Sequence, residues 1–391
     1  MRVPLLDLVG QYDEYREEVL PALQRVFASQ KFILGEEVDR FEKEIGEYLH
    51  AKHAVACASG SDALLLAFMA LEIKPGDAIL TTPFTFFATG GAAARIGVRP
   101  VFVDIDEKTF NLSPAALESY LREKTATGPG GARVDQASGA VLRAILPVHL
   151  YGLSCDMTAI GKIAASFGLP VIEDAAQAIG ARWNDRPVGT IGEIGCYSFF
   201  PTKNLGAWGD GGLVTAQTDR LGDLLRILRV HGSAKRYVHE QVGINSRLDA
   251  IQAVVLRIKL KRLDAWTRRR QENARRYHEA IRSRAELREV VLPPLDDRGN
   301  ACIFHQYVVR VPRRDDLRAH LTAQEIGTEV YYPIPLHRQK CFASLGCGEG
   351  SFPASERAAR EVLALPCYPE LTPEQIVAVA DAMAGFYRGK S

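Results

Sequence analysis

The stretch SFFPTKNLGAWGDGG, residues 198–212, decides how this sequence is interpreted. It places one lysine, Lys203, in a glycine-rich turn that follows an apolar run ending at Phe200. Upstream, in PVIEDAAQA (170–178), Asp174 ends another apolar run. A lysine that forms a Schiff base with an aldehyde and an acid that protonates a ring nitrogen are the two groups by which proteins use pyridoxal phosphate (PLP). The two segments together predict a PLP site.

A series of short apolar runs between residues 53 and 217 predicts the fold. The runs are rich in β-branched residues and lack strict alternation, which is typical of strands buried on both faces of a mostly parallel sheet. The segments between them, such as 61–73, have helical periodicity. We therefore predict an α/β protein, with a large three-layer α/β/α domain over residues 1–250 that contains a mostly parallel seven-stranded sheet. The runs are 53–59, 78–85, 99–105, 144–151, 170–176, 194–200 and 212–217.

The pattern of predicted helices and strands changes after about residue 250. One long basic helix is predicted over 246–286, and a smaller α+β domain is predicted over 251–391. Its further elements are strand-like segments at 305–311 and 328–334 and helices at 315–326 and 372–387. A basic run on a helix indicates a solvated face here, because no nucleic-acid-binding motif accompanies it. The glycine-rich segment 125–139 is predicted to be a mobile surface loop.

Charge and cysteine content exclude several classes of protein. The chain has 48 basic and 47 acidic residues, so no overall field attracts nucleic acid or an anionic membrane. The odd number of cysteines, 7, without a CxxC motif argues against a disulfide framework and against a metal site. No uninterrupted apolar stretch is long enough to cross a membrane, and the N-terminus lacks a secretory apolar region. We expect a cytoplasmic protein.

Two further segments have both a functional and an ordinary interpretation. In ASGSDA (58–63), Ser61 and Asp62 begin an apolar helix whose free amides favour a phosphate, but a helix cap by Ser59 or Ser61 explains the same residues. Near a phosphate, only the backbone amide of Asp62 is expected to point inward. In PFTFFAT (83–89), Phe86 is either a core residue or a ring that stacks on a flat ligand. Asp174 itself has the alternative role of a helix cap.

The whole chain resembles the DegT/DnrJ/StrS family of sugar aminotransferases, PLP enzymes of fold type I. The matching segments follow the family's order from one end of the chain to the other, which makes the resemblance far more specific than a single motif. They are FILGEEVDRFE (32–42), ASGSDALLLA (58–67), PFTFFAT (83–89), PVHLYG (147–152), VIEDAAQAIGA (171–181), SFFPTKNLGAWGDGG (198–212), GINSRLDAIQAVVL (243–256), HQYVVR (305–310) and YYPIPLHRQKCF (331–342).

The resemblance implies a role for each matching residue. Lys203 corresponds to the lysine that binds PLP, Asp174 to the acid on the ring nitrogen and Gln177 to the residue near the ring hydroxyl. Phe86 corresponds to the stacking aromatic residue. The phosphate cradle is implied to comprise Ser61, where many members have threonine, Asp62 through its backbone, Ser198, and Asn245 lent by the second subunit of a homodimer. The alternative for Asn245 is a helix cap.

The resemblance also implies the reaction: glutamate donates its amino group, 2-oxoglutarate leaves, and a nucleotide-linked keto-sugar is aminated. Retention of Lys203 favours transamination over the dehydratase activity of relatives that have histidine there. GDGG together with KNLG favours a 3-keto over a 4-keto sugar. Tyr331, Tyr332, His337 and the basic stretch 231–237 are candidate contacts for the sugar or nucleotide, whereas His305 is interpreted as a packed core residue. A silent PLP-binding regulator stays an alternative.

Overall fold

A computed structural model describes residues 1–235 and 237–388. Its centre is a sheet of seven strands that coincide with the seven predicted apolar runs. The strands are β1 His53–Cys57, β2 Ala78–Thr81, β3 Arg99–Phe102, β4 Leu142–Ile145, β5 Ile172–Asp174, β6 Ile194–Ser198 and β7 Gly212–Ala216.

The strands lie in the spatial order β1-β7-β6-β5-β4-β2-β3. Strand β7 is antiparallel to both of its neighbours, and the pairs β6–β5, β2–β4 and β2–β3 are parallel. Parallel bridges from Ile145 to Val171 and from Val148 to Asp174 connect β4 with β5. The predicted mostly parallel sheet is confirmed, with the carboxyl ends of β5 and β6 side by side. Ligands bind at such an edge in open α/β sheets.

Thirteen α-helices surround and extend this sheet within the described residues. They are α1 Leu8–Asp13, α2 Arg16–Ser29, α3 Glu36–Leu49, α4 Gly60–Ala70, α5 Phe87–Arg95, α6 Pro114–Glu123, α7 Met157–Phe167, α8 Asp219–Leu228, α9 Ala250–Leu260, α10 Leu263–Arg282, α11 Arg314–Ala323, α12 Pro353–Glu361 and α13 Pro373–Arg388.

Strand β1 shows why the apolar runs do not alternate with polar residues. Val55 and Cys57 pack in a core with α4 and α8, whereas Ala54 and Ala56 pack on the opposite face in a core with α3. Both faces of the sheet are thus covered by helices, and a strand in this position needs apolar residues at every position. This arrangement confirms the three-layer α/β/α architecture.

The C-terminal part pairs strand β8, Tyr307–Arg310, with strand β9, Val362–Leu365, in antiparallel register. The single long helix predicted over 246–286 is wrong, because the chain turns at Lys261 and Arg262 between α9 and α10. The reason is packing: α9 lies against α2 and α3, whereas α10 lies against α13. The predicted boundary between residues 250 and 251 falls at the start of α9 and stays a prediction.

Two other predicted segments differ from the structure. Segment 328–334 forms no strand and only a single bridge from Glu329 to Ala364, because Tyr331 and Tyr332 turn to line a cavity instead. Segment 125–139, predicted as a loop, contains a short hairpin.

The described residues also form short hairpins and 3₁₀ turns outside the main sheet. The hairpins pair Thr125–Thr127 with Arg133–Asp135, Arg182–Trp183 with Arg186–Pro187, Ser233–Lys235 with Val238–His239 and Asp296–Asp297 with Asn300–Ala301, and 3₁₀ turns span Pro129–Gly131, Leu150–Gly152, Ala285–Leu287, Leu336–Arg338 and Lys340–Leu345.

None of the helices in the described ranges is both long and apolar enough to cross a membrane.

Candidate active site

A cavity of about 500 Å³ opens at the carboxyl ends of β5 and β6. It brings together most of the residues singled out in the sequence, although they come from five separate segments of the chain. The predicted residues that line it are Ser61, Phe86, Asp174, Gln177, Ser198, Lys203, Tyr331 and Tyr332. The roles of these residues stay predictions, but their meeting at one place is a finding of the structure.

Lys203 is held by a tight turn that follows β6. Its backbone N–H donates to the carbonyl of Phe200 at 2.8 Å, and the N–H of Ala207 donates to the carbonyl of Phe199 at 2.8 Å. A Cβ added at Gly206 would lie 2.2 Å from the carbonyl oxygen of Pro201, so this position requires glycine. The turn is therefore closed on itself and presents the lysine to the cavity.

Opposite charges meet in this cavity. Burial lowers the pKa of Lys203 from 10.5 to about 8, and the nearby Asp174 carboxylate partly opposes that shift. Burial also raises the pKa of Asp174 above its usual value of 3.8, against the lowering effects of a Thr89 hydrogen bond, the Ala176 amide and the Lys203 charge. An amine with a depressed pKa is an effective nucleophile and proton acceptor near neutral pH.

Asp174 is fixed by contacts on both carboxylate oxygens. The Thr89 hydroxyl donates to Oδ2 at 2.8 Å, and the backbone N–H of Ala176 donates to Oδ1 at 3.2 Å. Thr85 lies 3.1 Å from the Thr89 hydroxyl and extends the chain of hydrogen bonds. The described residues directly after Asp174 form turns and begin no helix, so its alternative interpretation as a helix cap is wrong, and the carboxylate instead faces the cavity and Lys203.

The preceding residue, Glu173, has a structural role. Its buried carboxylate accepts bonds from the amides of Gly189, Ile191 and Gly192, each at 2.7 Å, and lies 3.0 Å from His149 Nε2. Burial alone would raise the pKa of Glu173, but His149 and the amides hold it below its usual value. The end of β5 is consequently rigid, which fixes the direction of Asp174.

Aromatic side chains form one wall of the cavity. Phe86 is the N-cap residue of α5 and is 55% exposed, although it is a large apolar residue, so its ring is available to a flat ligand. The ring of Tyr332 lies 6.1 Å from it. Gln177 is fixed between the backbone N–H of Tyr151, which donates to Oε1 at 2.8 Å, and the Tyr332 hydroxyl, which accepts from Nε2 at 2.9 Å.

The N-terminus of α4 meets the end of β6 at the edge of the cavity. A Cβ added at Gly60 would lie 2.7 Å from Ser198 Cβ, so glycine permits this close approach. Ser61 is exposed there, beside the partly buried Ser198. Ser59 is the helix cap and accepts from the Asp62 amide at 3.1 Å, while the Asp62 carboxylate accepts from Ser246 at 2.8 Å. Asp62 does not line the cavity, and its amide bonds to the cap.

Two other predicted residues lie elsewhere. Asn245 is exposed and bridges to Val230, and it does not cap a helix, because α9 begins at Ala250 with Asp249 at its cap. His337 lies outside the cavity lining, 3.0 Å from a Glu356 carboxylate oxygen. In the basic stretch 231–237, Arg236 lies outside the described residues and the neighbouring residues form a short hairpin.

Sequence reasoning overlooked two residues of the site. His305, interpreted as a packed core residue, is buried but also lines the cavity, and its Nδ1 lies 3.1 Å from Asn204 Oδ1. Burial and the charges of Lys203 and Arg270 hold its pKa well below 6.5. Thr89 stands in the quoted segment PFTFFAT, but nothing local in the sequence shows that it reaches Asp174 across 85 positions.

The residues fit PLP on structural grounds. A buried acid suits a ring nitrogen, an amine of lowered pKa suits an aldehyde, and a helix N-terminus with two serine hydroxyls suits a phosphate. The glycine at position 60, where a side chain would collide with Ser198, leaves room for the close approach at the phosphate end. The fold and the site therefore define a PLP-dependent enzyme.

Comparison with known proteins identifies the family. Residues 13–384 match the model of the DegT/DnrJ/EryC1/StrS aminotransferase family, and the chain belongs to this family. Membership confirms the predicted fold type I, the cofactor PLP and the aminotransferase class.

Similar proteins match along nearly their whole length. A pleiotropic regulatory protein of Geobacillus stearothermophilus is 47% identical, with 99% of both chains covered. A UDP-N-acetyl-3-dehydro-alpha-D-glucosamine 3-aminotransferase of Acidithiobacillus ferrooxidans is 41% identical, covering 97% of this chain and 96% of that one. The crystal structure of DesV from S. venezuelae in complex with a ketimine intermediate is 40% identical, with a TM-score of 0.90 and coverage of 99% and 98%.

Lys203 of the cofactor-free protein should react as an amine of lowered pKa. The rate at which a small amine-reactive reagent modifies Lys203 should rise with pH around a midpoint of about 8, because burial lowers its pKa. In Asp174→Asn the midpoint should fall further, since the carboxylate charge that raises this pKa is removed. Mass spectrometry of the Lys203 peptide, normalised to other lysine peptides in the same digest, gives the rate at each pH.

Asp210→Asn is the matched control, because Asp210 also lines the cavity but is exposed. In Asp210→Asn, the labelling midpoint of Lys203 should equal that of the wild-type protein. A wild-type midpoint near the ordinary lysine value of 10.5, or no change in Asp174→Asn, would contradict the electrostatic description of the site.

Proposed function

We propose that this protein transfers the amino group of glutamate to a keto-sugar carried on a nucleotide, with PLP bound at Lys203. The observation that carries the proposal is the meeting of Lys203 and Asp174 in one cavity of a sugar-aminotransferase fold. Neither residue is accounted for by packing alone, since both face the cavity and each shifts the pKa of the other.

Each side chain then has a defined task. Bound PLP supplies an electrophilic carbon and a ring that accepts electrons from the α-carbon of the donor. Asp174, held by Thr89, would keep a proton on the ring nitrogen. The amine of Lys203 would hold PLP and, as general base and acid, would accept the proton of the donor's α-carbon and later donate it. The depressed pKa of Lys203 keeps a useful fraction of this amine unprotonated near neutral pH.

The remaining residues orient the cofactor. Phe86 would stack on its ring, Gln177 would contact the ring hydroxyl, and Ser61 and Ser198 would hold the phosphate at the N-terminus of α4. The Asp62 amide is a weaker candidate for the phosphate cradle, because Ser59 already accepts its hydrogen bond. Tyr331 and Tyr332 line the same cavity and are candidate contacts for the sugar, whereas the position of His337 beside Glu356 gives it no such role here.

The favoured acceptor is a 3-keto-sugar. Two observations support this choice: the GDGG and KNLG segments that follow β6, and the 41% identical relative named as a 3-aminotransferase. Amination of a 4-keto-sugar and a dehydratase activity are the alternatives within the family. The cytoplasm stays the predicted location.

A regulatory role without catalysis is the second candidate. It is favoured by the name of the 47% identical relative, a pleiotropic regulatory protein. The two candidates differ in a single observation, because a silent regulator binds PLP but does not convert glutamate to 2-oxoglutarate. Retention of Lys203 beside Asp174 favours the enzyme.

We also propose that the active unit is a homodimer in which Asn245 reaches the phosphate site of the partner subunit. Asn245 is exposed and lies outside the cavity of its own chain. An amide side chain that caps no helix and faces solvent is available to a second copy.

Product analysis tests the acceptor. The protein should aminate a nucleotide-linked 3-keto-sugar at least about tenfold faster than the matched 4-keto-sugar, a ratio that corresponds to about 1.4 kcal/mol of transition-state discrimination. The position of the new amine is read by NMR. Preference for the 4-keto-sugar would overturn the regiochemistry, and failure of glutamate to yield 2-oxoglutarate in the absence of sugar would overturn the aminotransferase proposal itself.

A mixed dimer tests whether the site is shared. Lys203→Ala chains should be inactive, and Asn245→Asp chains should bind PLP poorly, because a carboxylate would face a phosphate. Co-expression with two affinity tags isolates the heterodimer, which should regain activity at one of its two sites. If Asn245 acts within its own chain, the heterodimer contains no complete site and stays inactive.

The control heterodimer combines Lys203→Ala with Asp174→Asn. These residues lie in the cavity of the same chain, so neither site of this heterodimer is complete. It should show no recovery, which excludes an unspecific effect of mixing.

A further inference from the structure

Lys259, on α9, is a lysine buried in the protein core. Only 2% of it is exposed, and its ammonium nitrogen lies 2.5 Å from the carbonyl oxygen of Gly206. Gly206 stands three positions after Lys203 in the same turn. In the described part of the chain no residue of α9 lines the cavity, so this contact reaches the turn without belonging to the cavity wall.

The burial of Lys259 is only partly compensated by its surroundings. The rings of Tyr15 and Trp266, whose centroids lie 5.7 and 5.8 Å from its nitrogen, attract the ammonium, but within residues 1–235 and 237–388 it forms no ion pair with a carboxylate. Burial lowers its pKa to about 8, with partial opposition from Glu370. An apolar side chain would fill this position at lower cost, since a buried charge without a paired charge is destabilising. The bond to the Gly206 carbonyl is the hydrogen bond that this ammonium donates within the described residues, and an apolar side chain of the same size could not form it.

The turn itself cannot adjust freely. The backbone at Gly206 passes so close to Pro201 that a Cβ would collide with the Pro201 carbonyl oxygen, so the turn is tightly packed at this point. Two residues further on, the backbone N–H of Trp208 donates to Gln252 Oε1 at 2.8 Å. Gln252 and Lys259 are seven positions apart on α9, which is two helical turns, so they lie on the same face. That face of α9 holds the turn at two points.

We propose that Lys259 is a positioning residue for Lys203. Its ammonium binds the Gly206 carbonyl and fixes the second half of the turn, and Gln252 assists at Trp208. The hydrogen bonds that close the turn, from Lys203 to Phe200 and from Ala207 to Phe199, then hold the reactive amine in the cavity beside Asp174. The inference rests on the proposed role of Lys203, but it concerns the conformation of the turn and is testable without any substrate.

The test compares Lys259→Met with Lys261→Met. Methionine is unbranched and of similar length, so it fills the space but donates no hydrogen bond. Lys261 stands at the exposed end of the same helix and is the matched control. Hydrogen exchange of the peptide covering 199–209 is measured in the cofactor-free proteins, together with the pH profile of amine labelling at Lys203.

In Lys259→Met, the protected amides of this peptide should exchange at least tenfold faster, and the labelling midpoint of Lys203 should shift. Exchange in β1 and β7 should stay unchanged. In the PLP-loaded protein, the rate of the half-reaction with glutamate should fall about tenfold or more, with little change in the glutamate concentration for half-maximal rate. Lys261→Met should match the wild type in every measurement, and Lys259→Arg, which keeps a charged donor, should restore most of the protection.

Unchanged exchange over 199–209 and an unchanged labelling profile in a folded Lys259→Met protein would overturn the proposal, whatever its melting temperature. If that variant does not fold, Gln252→Leu removes the second contact with the same turn and decides the question by the same two measurements. If Lys259→Met exchanges faster over 199–209 but the wild-type protein itself fails to convert glutamate, the positioning role is supported and the proposed function is contradicted, so the two failures are distinguishable.

Discussion

The rest of the site depends on one pair of opposite charges, Lys203 and Asp174, that share a cavity at the edge of the sheet. Removal of Lys203 from water disfavours its ammonium form, and removal of Asp174 from water disfavours its carboxylate form, while each charge stabilises the other. The balance leaves a lysine whose pKa is lowered to about 8 beside a carboxyl group whose pKa is raised above its usual value. An exposed lysine and an exposed aspartate in the same relative positions would have neither property.

Several elements of the fold position Asp174 and Lys203. Strand β5 delivers Asp174 to the sheet edge, Glu173 ties the end of that strand to a loop through three backbone amides, and Thr89 on α5 orients the carboxylate. Strand β6 delivers the turn that carries Lys203. Parallel strands with helices on both faces bring these residues together although 29 positions separate Asp174 from Lys203 in the chain. The chemistry therefore follows from the sheet order as much as from the residues.

The sequence pattern predicts the strands and the lysine turn, because both are determined by residues close together in the chain. Each apolar run became a strand because its residues are buried on both faces, and the lysine turn was recognisable from its glycines. The break between α9 and α10 was not predictable, since the basic amphipathic pattern continues across it and only the change of packing partner causes it. Asp62 was expected at the phosphate through its amide, but the Ser59 cap engages that amide. Thr89, His305 and Lys259 reach the site through contacts over long sequence separations, which no local pattern records.

The covalent attachment of PLP tests the central claim most directly. Borohydride reduction of the purified PLP-loaded protein, followed by proteolysis and mass spectrometry, should place a phosphopyridoxyl group on Lys203. Lys203→Ala should bind the cofactor without retaining it after reduction and denaturation. A phosphopyridoxyl group on another lysine of the wild-type protein, or on none, would contradict the account of the site given by its charges and its fold.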